Sequence, residues 1–456
     1  MRRVLGSSQL ALFKSIGYLS IDCNFTFVDL FSGIGGFRIP LMELGGKCLA
    51  YSEIDRECIK VYHENFIAYI NQDEIALGDI TKVSNLPPDV DLVVGGVPCQ
   101  PWSVAGKLKG FDDPRGRLWF DVLRLLSKSN PKAFIFENVK GLASPKNRTS
   151  FEYLLCQLES IGYCVKWKVL DSYDFGVPQI RERVFIVGIR KDLENAQEYR
   201  FPSALNCRPK LLDVIDEIKN CKPVEKVKLS SEVLFGGKIP PSRNRLQKDD
   251  ELNDFFIFSD LRNGHTTIHS WDIIKTTQRE RLICSTILTS RRKKEYGDKD
   301  GNPLSFYVLS TLISRLKISE LDNLISKNIL RQTEDNKYEF VNSKNLAGIN
   351  GVYKIFLPNS DIITTLTATG ARDFIATVSI DASNPEDYKR TFIREIYKKK
   401  KFKAITAKDA CKLQGFPDWF EFHENEDIAK QQFGNAVSVP VVYHVAKELL
   451  KTMRLH

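Results

Sequence analysis

Apolar runs of about five residues recur through the first 190 positions and alternate with stretches whose apolar residues are three or four apart. Runs rich in β-branched and aromatic residues predict buried strands, whereas the wider spacing predicts amphipathic helices. Their alternation predicts an α/β protein with a doubly wound sheet. The predicted strands are Phe27–Phe31, Cys48–Ser52, Leu92–Gly95, Ala133–Glu137, Val165–Leu170 and Val184–Ile189.

The alternation stops near residue 191, and residues 192–403 are rich in Lys, Asn, Ser and Pro with frequent turn signals. We expect a second, smaller and irregular domain there. Helices predicted at Leu309–Leu316 and Ser319–Ile329, the latter opened by a capping pair of Ser319 and Asp322, precede a hairpin near Asp335. This order suggests a winged-helix-like subdomain. Residues 404–456 return to core-like sequence, and residues 1–24 form a short extension.

Composition narrows the class of protein. With 43% hydrophobic and 27% charged residues and no long apolar window, we expect a cytoplasmic globular protein without a membrane segment. The ten cysteines lack paired spacing, which predicts neither disulfides nor a metal site. Residues 192–403 hold 36 basic and 29 acidic side chains, so most of the net charge of +9 lies there. This excess fits nucleic-acid binding, although a solvated surface would look the same.

Glycines and acids follow the first predicted strands in the manner of a cofactor site. Phe31, Ser32, Gly33, Gly35 and Gly36 form a glycine-rich loop directly after the first strand. Such a loop can approach a ligand closely, but it also occurs as a simple turn.

Two acids continue the pattern. Glu53, followed by Ile54, comes about 20 residues after the loop, where an acid can accept from both ribose hydroxyls of NAD or S-adenosylmethionine. Asp79, followed by Ile80, could accept from an adenine amino group or cap a helix.

Candidate reactive groups lie at the same predicted sheet edge. Cys99 follows the strand Leu92–Gly95 and stands between Pro98 and Gln100, although most lone cysteines are structural. Glu137 ends the strand Ala133–Glu137 and should reach this edge, unless it is a helix cap or surface acid. Arg181 and Arg183 would share one face of an extended segment, where two parallel guanidinium groups suit a carboxylate or phosphate.

In this order, the motifs resemble those of the cytosine-carbon-5 DNA methyltransferases of bacterial restriction-modification systems. The resemblance covers about residues 25–190 and 403–450, with Lys403 where the family often has Arg. It implies a Rossmann-like S-adenosylmethionine-dependent core over 25–191 and 404–456, and a target-recognition domain over 192–403. The matching blocks are Phe31–Gly36, Pro98–Gln100, Glu137–Val139, Gln179–Arg183, Ile405–Pro417, Gln432–Val437 and, in the recognition region, Thr365–Thr367.

The resemblance also implies a mechanism. Cys99 adds to carbon 6 of a flipped-out cytosine, and Glu137 holds or protonates ring nitrogen N3. Arg183 bridges toward the base carbonyl, and Arg181 orients the loop. Carbon 5 takes the methyl group of S-adenosyl-L-methionine, which leaves S-adenosyl-L-homocysteine and needs no metal. The implied cofactor residues are Phe31, Ser32, Gly33, Gly35, Gly36, Glu53, Ile54, Asp79, Ile80, Pro98, Leu118, Asn435, Ala436 and Val437.

The implied partner is double-stranded DNA. Residues 98–118 could close over the flipped base, although a solvated loop would carry the same lysines and arginines. The Thr365 element could instead be an exposed strand-to-turn junction. We expect a monomer, with a cognate restriction endonuclease as a possible companion. The implied DNA-binding residues are Gln100, Ser103, Lys107, Arg115, Thr365, Thr367 and Arg372.

Three competing hypotheses explain less of the sequence. An NAD oxidoreductase gives no role to Cys99 or to the block Gln432–Val437. The tRNA-methylating branch of the same family carries a Cys-Phe-Thr signature, which this chain lacks. A catalytically silent DNA-binding relative would lose the nucleophile or the acid, and both are present.

Overall fold

The computed structural model describes residues 24–66, 73–98, 116–207, 209–223, 270–298, 301–341, 354–360, 363–368, 373–381, 387 and 390–455. The chain divides into two compact units. We name Met1–Pro209, Asp361–Gly370 and Thr406–His456 the core unit, and Lys210–Ser360 with Ala371–Ile405 the inserted unit. The sequence prediction kept residues 192–403 together, whereas residues 192–209 and 361–370 here belong to the core unit.

Helices and strands are numbered along the chain. The strands are β1 Phe25–Leu30, β2 Gly46–Ser52, β3 Ile75–Ala76, β4 Leu92–Gly96, β5 Ala133–Val139, β6 Tyr163–Asp171, β7 Glu182–Arg190, β8 Leu304–Ser305, β9 Leu330–Gln332, β10 Lys337–Phe340, β11 Lys354–Phe356, β12 Asp373–Ala376 and β13 Phe402–Ala404. The helices are α1 Arg38–Glu43, α2 Arg56–Phe66, α3 Leu118–Ser129, α4 Arg148–Ser160, α5 Leu211–Val214, α6 Ser270–Ile273, α7 Gln278–Ser290, α8 Phe306–Leu312, α9 Ile318–Ser326, α10 Ala407–Leu413, α11 Glu426–Asn435 and α12 Val439–Met453.

The core unit contains a seven-stranded sheet in the order β3-β2-β1-β4-β5-β7-β6. β3, β2, β1, β4 and β5 pair in parallel, and β7 is antiparallel to both β5 and β6. All six predicted strands are present, and β3 is additional. Successive strands are added toward one side of the sheet from β1 to β3 and toward the other side from β4 onward. The switch point therefore lies between β1 and β4, and α/β proteins bind ligands at such a point.

Apolar helices cover both faces of this sheet. On one face, α1 and α12 pack through residues such as Leu41, Val442 and Leu449. On the other, α3 and α4 contribute Trp119, Leu125 and further apolar side chains. The return of residues 404–456 to the core therefore completes a layer of the sandwich. Within the described residues, no helix combines the length and apolarity needed to cross a bilayer.

The inserted unit contains the predicted winged-helix arrangement, with α7, β8, α8, α9, β9 and β10 in that order. The sheet order is β8-β10-β9 and the pairing is antiparallel, so the predicted hairpin near Asp335 is confirmed. The predicted Ser319–Asp322 cap is wrong. Helix α9 instead begins at Ile318, because the Glu320 carboxylate accepts from the Lys317 amide at 2.9 Å.

A second sheet of the inserted unit has the order β11-β12-β13. β11 and β12 are parallel, and β13 returns antiparallel to β12. The π-helix Phe392–Tyr397 lies between β12 and β13 in the chain. Its residues Phe392, Ile393 and Ile396 pack with Ile355 and Leu357 in one apolar cluster.

Candidate active site

The carboxyl ends of β1, β4 and β5 lie side by side. Leu30 pairs with Gly95, and Gly96 pairs with Glu137. The glycine loop, the segment before Cys99 and the Glu137 carboxylate therefore leave the sheet at one edge. Cys99 itself is outside the described residues, and half-buried Pro98 directly precedes it.

The glycine loop is a strained turn packed between two helices. Phe31, Gly33 and Gly35 have φ angles of 55°, 54° and 90°, in the left-handed region that favours glycine. A Cβ on Gly35 would lie 2.3 Å from the Phe66 ring, so replacement of this glycine requires that ring to shift. A Cβ on Gly36 would lie 3.0 Å from Val437, in the predicted final cofactor block.

Glu53 ties the glycine loop to the end of β2. One carboxylate oxygen accepts from the Gly33 amide at 2.9 Å, and the other accepts from the amides of Ile54 and Asp55 at 2.7 and 2.9 Å. The Ile54 side chain is 72% exposed beside this carboxylate. The exposed aliphatic side chain offers an apolar surface, and the carboxylate beside it can accept hydrogen bonds from hydroxyl groups. This combination suits an adenosine.

Asp79 acts as a helix cap, the alternative role considered from the sequence. Its Oδ1 accepts from the amide and the hydroxyl of Thr81 at 3.0 and 2.8 Å. These hydrogen bonds hold the pKa of Asp79 below its usual value. Ile80 is buried in the apolar cluster beneath the sheet, so its side chain faces away from solvent. Leu118 is half-buried at the start of α3.

Two buried polar groups near the glycine loop have no hydrogen-bond partner among the described residues. They are the hydroxyl of Ser32 and the carboxyl of Asp29, and both side chains are almost completely buried. Burial raises the pKa of Asp29 well above its usual value, against the opposing charge of Arg38. Buried polar groups beside a glycine loop fit a ligand that brings hydrogen-bonding groups of its own, as S-adenosylmethionine does.

Glu137 and Arg183 form a nearly buried ion pair at the sheet edge. Arg183 Nε lies 2.9 Å from Glu137 Oε1. Burial raises the pKa of Glu137, although the nearby charges of Arg183 and Arg181 oppose the shift. A carboxyl group with a raised pKa keeps its proton to a higher pH than usual and can donate it to a base. The pair is therefore suited to proton exchange with a ligand.

Asn138 is a site residue to which sequence reasoning gave no role. Its side chain is fully buried, and its amide donates to the Val97 carbonyl at 3.0 Å. This bond fixes the chain two residues before Cys99. The sequence did carry a signal for this role. Asn138 places a side-chain amide inside the Glu137–Val139 block of an apolar strand, and a buried amide needs a hydrogen-bond partner.

Arg181 binds backbone carbonyls rather than an anion. Its guanidinium donates to the carbonyls of Leu366, Gly434 and Ala436 at 3.0, 3.0 and 2.7 Å. The expectation that Arg181 and Arg183 direct parallel guanidinium groups at one ligand is therefore corrected. Arg183 pairs with a carboxylate, whereas Arg181 joins two chain segments that are distant in sequence.

The Thr365 element is part of the same network. Gln179, also without a predicted role, accepts from the Leu366 amide at 3.0 Å and donates to the Leu413 carbonyl at 2.8 Å. The Thr365 hydroxyl donates to the Ile180 carbonyl at 2.7 Å. Thr365 thus holds the Gln179–Arg181 segment, while Thr367 is exposed. A Cβ on Gly434 would lie 2.4 Å from the Thr367 backbone.

We predict that Arg181→Met destabilises the core unit strongly. The change leaves the carbonyls of Leu366, Gly434 and Ala436 without the donors they now have. The unfolding free energy should fall by about 3 kcal/mol or more, since each buried unpaired group costs about 1–3 kcal/mol. Urea unfolding followed by tryptophan fluorescence measures this change.

Arg200→Met is the matched control. Arg200 also donates to backbone carbonyls, those of Gln197 and Tyr199, but it is exposed to solvent. Its loss should change the unfolding free energy by no more than about 0.5 kcal/mol. Equal effects of the two substitutions would show that the Arg181 network does not stabilise the unit.

The remaining predicted residues fall into two groups. Asn435 is exposed at the end of α11, and Ala436 and Val437 follow it toward the glycine loop. Gln414, a further residue without a predicted role, donates to the Phe433 carbonyl at 2.7 Å and supports this block.

No cluster of three metal-binding side chains occurs in the part of the chain that is described. Cys99, Gln100, Ser103, Lys107, Arg115 and Arg372 lie outside the described residues.

Comparison with known proteins identifies the family of this chain. Residues 25–451 match the family model of the C-5 cytosine-specific DNA methylase. The chain is 47% identical over 430 residues to the type II methyltransferase M.HgiBI of Herpetosiphon aurantiacus, covering 93% of this chain and 97% of the relative. It is 32% identical over 446 residues to the type II methyltransferase M.BanI of Aneurinibacillus aneurinilyticus, covering 93% and 95%.

A solved structure shares the fold. A mutant of DNMT2 from Spodoptera frugiperda superposes with a TM-score of 0.50 at 17% identity, covering 94% of this chain and 99% of the other. This likeness concerns the fold alone. The family match extends over nearly the whole chain. The chain therefore belongs to the C-5 cytosine-specific DNA methylase family, and its activity is that of a DNA (cytosine-5-)-methyltransferase.

Proposed function

We propose that this protein is a type II modification methyltransferase that methylates carbon 5 of a flipped-out cytosine with Cys99 as nucleophile. The observation that carries the proposal is the buried Glu137–Arg183 pair. Glu137 lies opposite Gly96, three residues before Cys99. The Asn138 amide holds the intervening chain at Val97. A thiolate at Cys99 and an acid at Glu137 would then act on the same cytosine ring.

S-adenosyl-L-methionine is the proposed cofactor, and when bound it supplies an electrophilic methyl group. Its adenosine would be held by Glu53, Ile54, Asp79 and the Ile80 backbone. The remaining residues that the resemblance implies for the cofactor complete the proposed site. These are Phe31, Ser32, Gly33, Gly35, Gly36, Pro98, Leu118, Asn435, Ala436 and Val437. Asp29, buried and without a described hydrogen-bond partner, lies directly before the glycine loop at the end of β1.

The protein's own groups divide the work on the base. When it is protonated, the Glu137 carboxyl would donate to ring nitrogen N3, so that charge entering the ring with the sulfur can be held there. Arg183 stays beside this carboxyl and reaches toward the base carbonyl. Arg181 acts as a positioning residue through its carbonyl contacts. The mechanism uses no metal.

The inserted unit is proposed to read the target sequence. Duplex DNA carries its sequence on base edges in the grooves, and methyl transfer to a flipped-out cytosine in the core unit does not require those edges to be read. Thr365, Thr367 and Arg372 remain proposed DNA contacts, as do Gln100, Ser103, Lys107 and Arg115. We propose a cytoplasmic monomer that acts on the cell's own DNA. A restriction endonuclease for the same site would be its companion.

We predict that Glu137→Gln lowers the single-turnover rate of methyl transfer by about 10²–10⁴-fold, because a positioned acid is lost. The pH profile provides a second measurement. Since burial raises the pKa of Glu137, the wild-type rate should fall as the pH rises through that value and the carboxyl ionises. The variant, whose amide does not titrate, should lack this limb.

Glu182→Gln serves as the control for charge. Glu182 is the neighbour of Arg183 and pairs with exposed Lys140 at 2.9 Å. We expect the rate and pH profile of Glu182→Gln to match those of the wild type within about twofold, because loss of an exposed ion pair usually has a small effect. A Glu137→Gln variant with a wild-type rate would refute the assignment of the acid.

A further inference from the structure

Basic side chains are concentrated at one corner of the inserted unit, which we name the lysine corner and define as residues 390–401. This segment holds six basic residues and one acid, Glu395. Lys398, Lys399, Lys400 and Lys401 are consecutive and all exposed. Such a run is often only a solvated surface. Whether it can bind a ligand depends on whether its backbone is ordered and on how much of its charge is compensated by ion pairs.

The backbone of the lysine corner is fixed. Lys398 donates its amide to Ile393 and Lys401 to Ile396, both at 2.9 Å. Ile393 and Ile396 are buried in the apolar cluster of the second sheet. Lys400 has a φ of 51°, a left-handed conformation that lysine adopts only when its surroundings impose it. The lysines therefore project from an ordered turn.

Most of this positive charge is uncompensated. Arg394 and Lys399 share the Glu395 carboxylate, and Arg390 lies 3.6 Å from Asp387. Within the described part of the chain, Lys398, Lys400 and Lys401 form no ion pair. Neighbouring like charges repel, and an anion lying against them would relieve this repulsion.

The winged helix of the same unit differs in charge. Residues 318–339, which include α9 and the β9–β10 hairpin, carry five acidic and three basic side chains. Asp322, Glu334 and Asp335 are exposed on this part. A phosphate backbone would be repelled there and attracted to the lysine corner.

We propose that the lysine corner binds the phosphate backbone of the DNA duplex and holds the inserted unit on its substrate. The inference rests on the proposed reading of DNA by this unit. Backbone contacts fix orientation and carry no sequence information, so the corner should affect affinity rather than target choice. It lies in the segment between β12, which begins directly after Arg372, and β13.

The test replaces Lys398, Lys399, Lys400 and Lys401 together by glutamine and measures DNA affinity against salt concentration. We expect Kd to rise about tenfold or more at physiological salt, and the slope of log K against log salt to decrease by about one per lysine on a phosphate. The rate at saturating DNA and the methylated sequence should not change. The four corresponding arginine substitutions should retain affinity and slope.

An equal charge change elsewhere provides the control. Lys47, Lys128, Lys447 and Lys451 are exposed on the core unit, and their replacement by glutamine should leave the salt slope close to the wild type. A lysine-corner variant that folds with the wild-type slope would overturn the proposal. That result would leave the proposed function intact, because exchange of the whole inserted unit tests target reading separately.

Discussion

Replacing Cys99 by serine is expected to abolish methyl transfer to DNA while cofactor affinity stays close to the wild type. A serine hydroxyl is a far weaker nucleophile than a thiolate, and no neighbour replaces the covalent step. The single-turnover rate should therefore fall by at least about 10³-fold. Labelled methyl groups counted on DNA measure the rate, and calorimetry with S-adenosyl-L-homocysteine measures cofactor affinity.

Cys156→Ser is the matched control, because Cys156 is exposed on α4. It should transfer methyl groups at the wild-type rate. Buried thiols are poor alternatives to Cys99. Burial raises the pKa of Cys284 and Cys411 to about 12, and it also raises the pKa of Cys48 and Cys58. Substantial activity in Cys99→Ser would identify a different nucleophile.

Covalent trapping of the protein on DNA tests the role of Cys99 as nucleophile by a second measurement. Release of the Cys99 sulfur from carbon 6 requires that carbon 5 lose its proton, and a fluorine there cannot leave in this way. DNA with 5-fluorocytosine at the target should therefore stay attached to the protein through denaturing electrophoresis. The adduct should form with Cys156→Ser and not with Cys99→Ser. A crosslink mapped to another residue would contradict the mechanism.

The sheet and its reactive edge were predictable because their signals are local. Buried strands need continuous apolar runs, and residues that follow parallel strands necessarily reach one edge. Leu92–Gly95 and Ala133–Glu137 were thus enough to bring the chain before Cys99 near Glu137. The observed pairing of Gly96 with Glu137 agrees with this reasoning.

The arginine network was not predictable because its acceptors are backbone carbonyls far away in the chain. Leu366, Gly434 and Ala436 are 185, 253 and 255 residues from Arg181. Every residue has a backbone carbonyl, so the sequence does not mark the carbonyls that accept hydrogen bonds. The different roles of Arg181 and Arg183 therefore could not be distinguished from the sequence. The partner of Arg183 is the Glu137 carboxylate, and the sequence analysis named both residues without predicting that they pair.

The domain boundary was missed for the same reason. Residues 361–370 lie within a long stretch of recognition-type composition, yet they belong to the core unit. Ile363 exchanges backbone hydrogen bonds with Pro178 and Ile180, at 2.8 and 2.9 Å. Backbone pairing is almost independent of composition, so a composition shift could not locate this short return.

Exchange of the inserted unit is expected to move methylation completely to a new target. The chimera replaces Lys210–Ser360 and Ala371–Ile405 by the equivalent segments of a relative with another recognition sequence, and retains residues 361–370. The retained residues keep the Gln179 and Arg181 contacts, so the chimera should fold as stably as the parent. Bisulfite sequencing of DNA from an expressing host should show modified cytosines only at the relative's site.

A second chimera that also exchanges residues 361–370 separates the two roles of Thr365. If the Thr365 hydroxyl serves only the Ile180 carbonyl, both chimeras should methylate the same sequence. If Thr365 or Thr367 reads a base, their sequences should differ at one position, because one mismatched base contact costs about 1–3 kcal/mol. A folded chimera of either kind that still marks the parent sequence would show that specificity does not reside in the inserted unit.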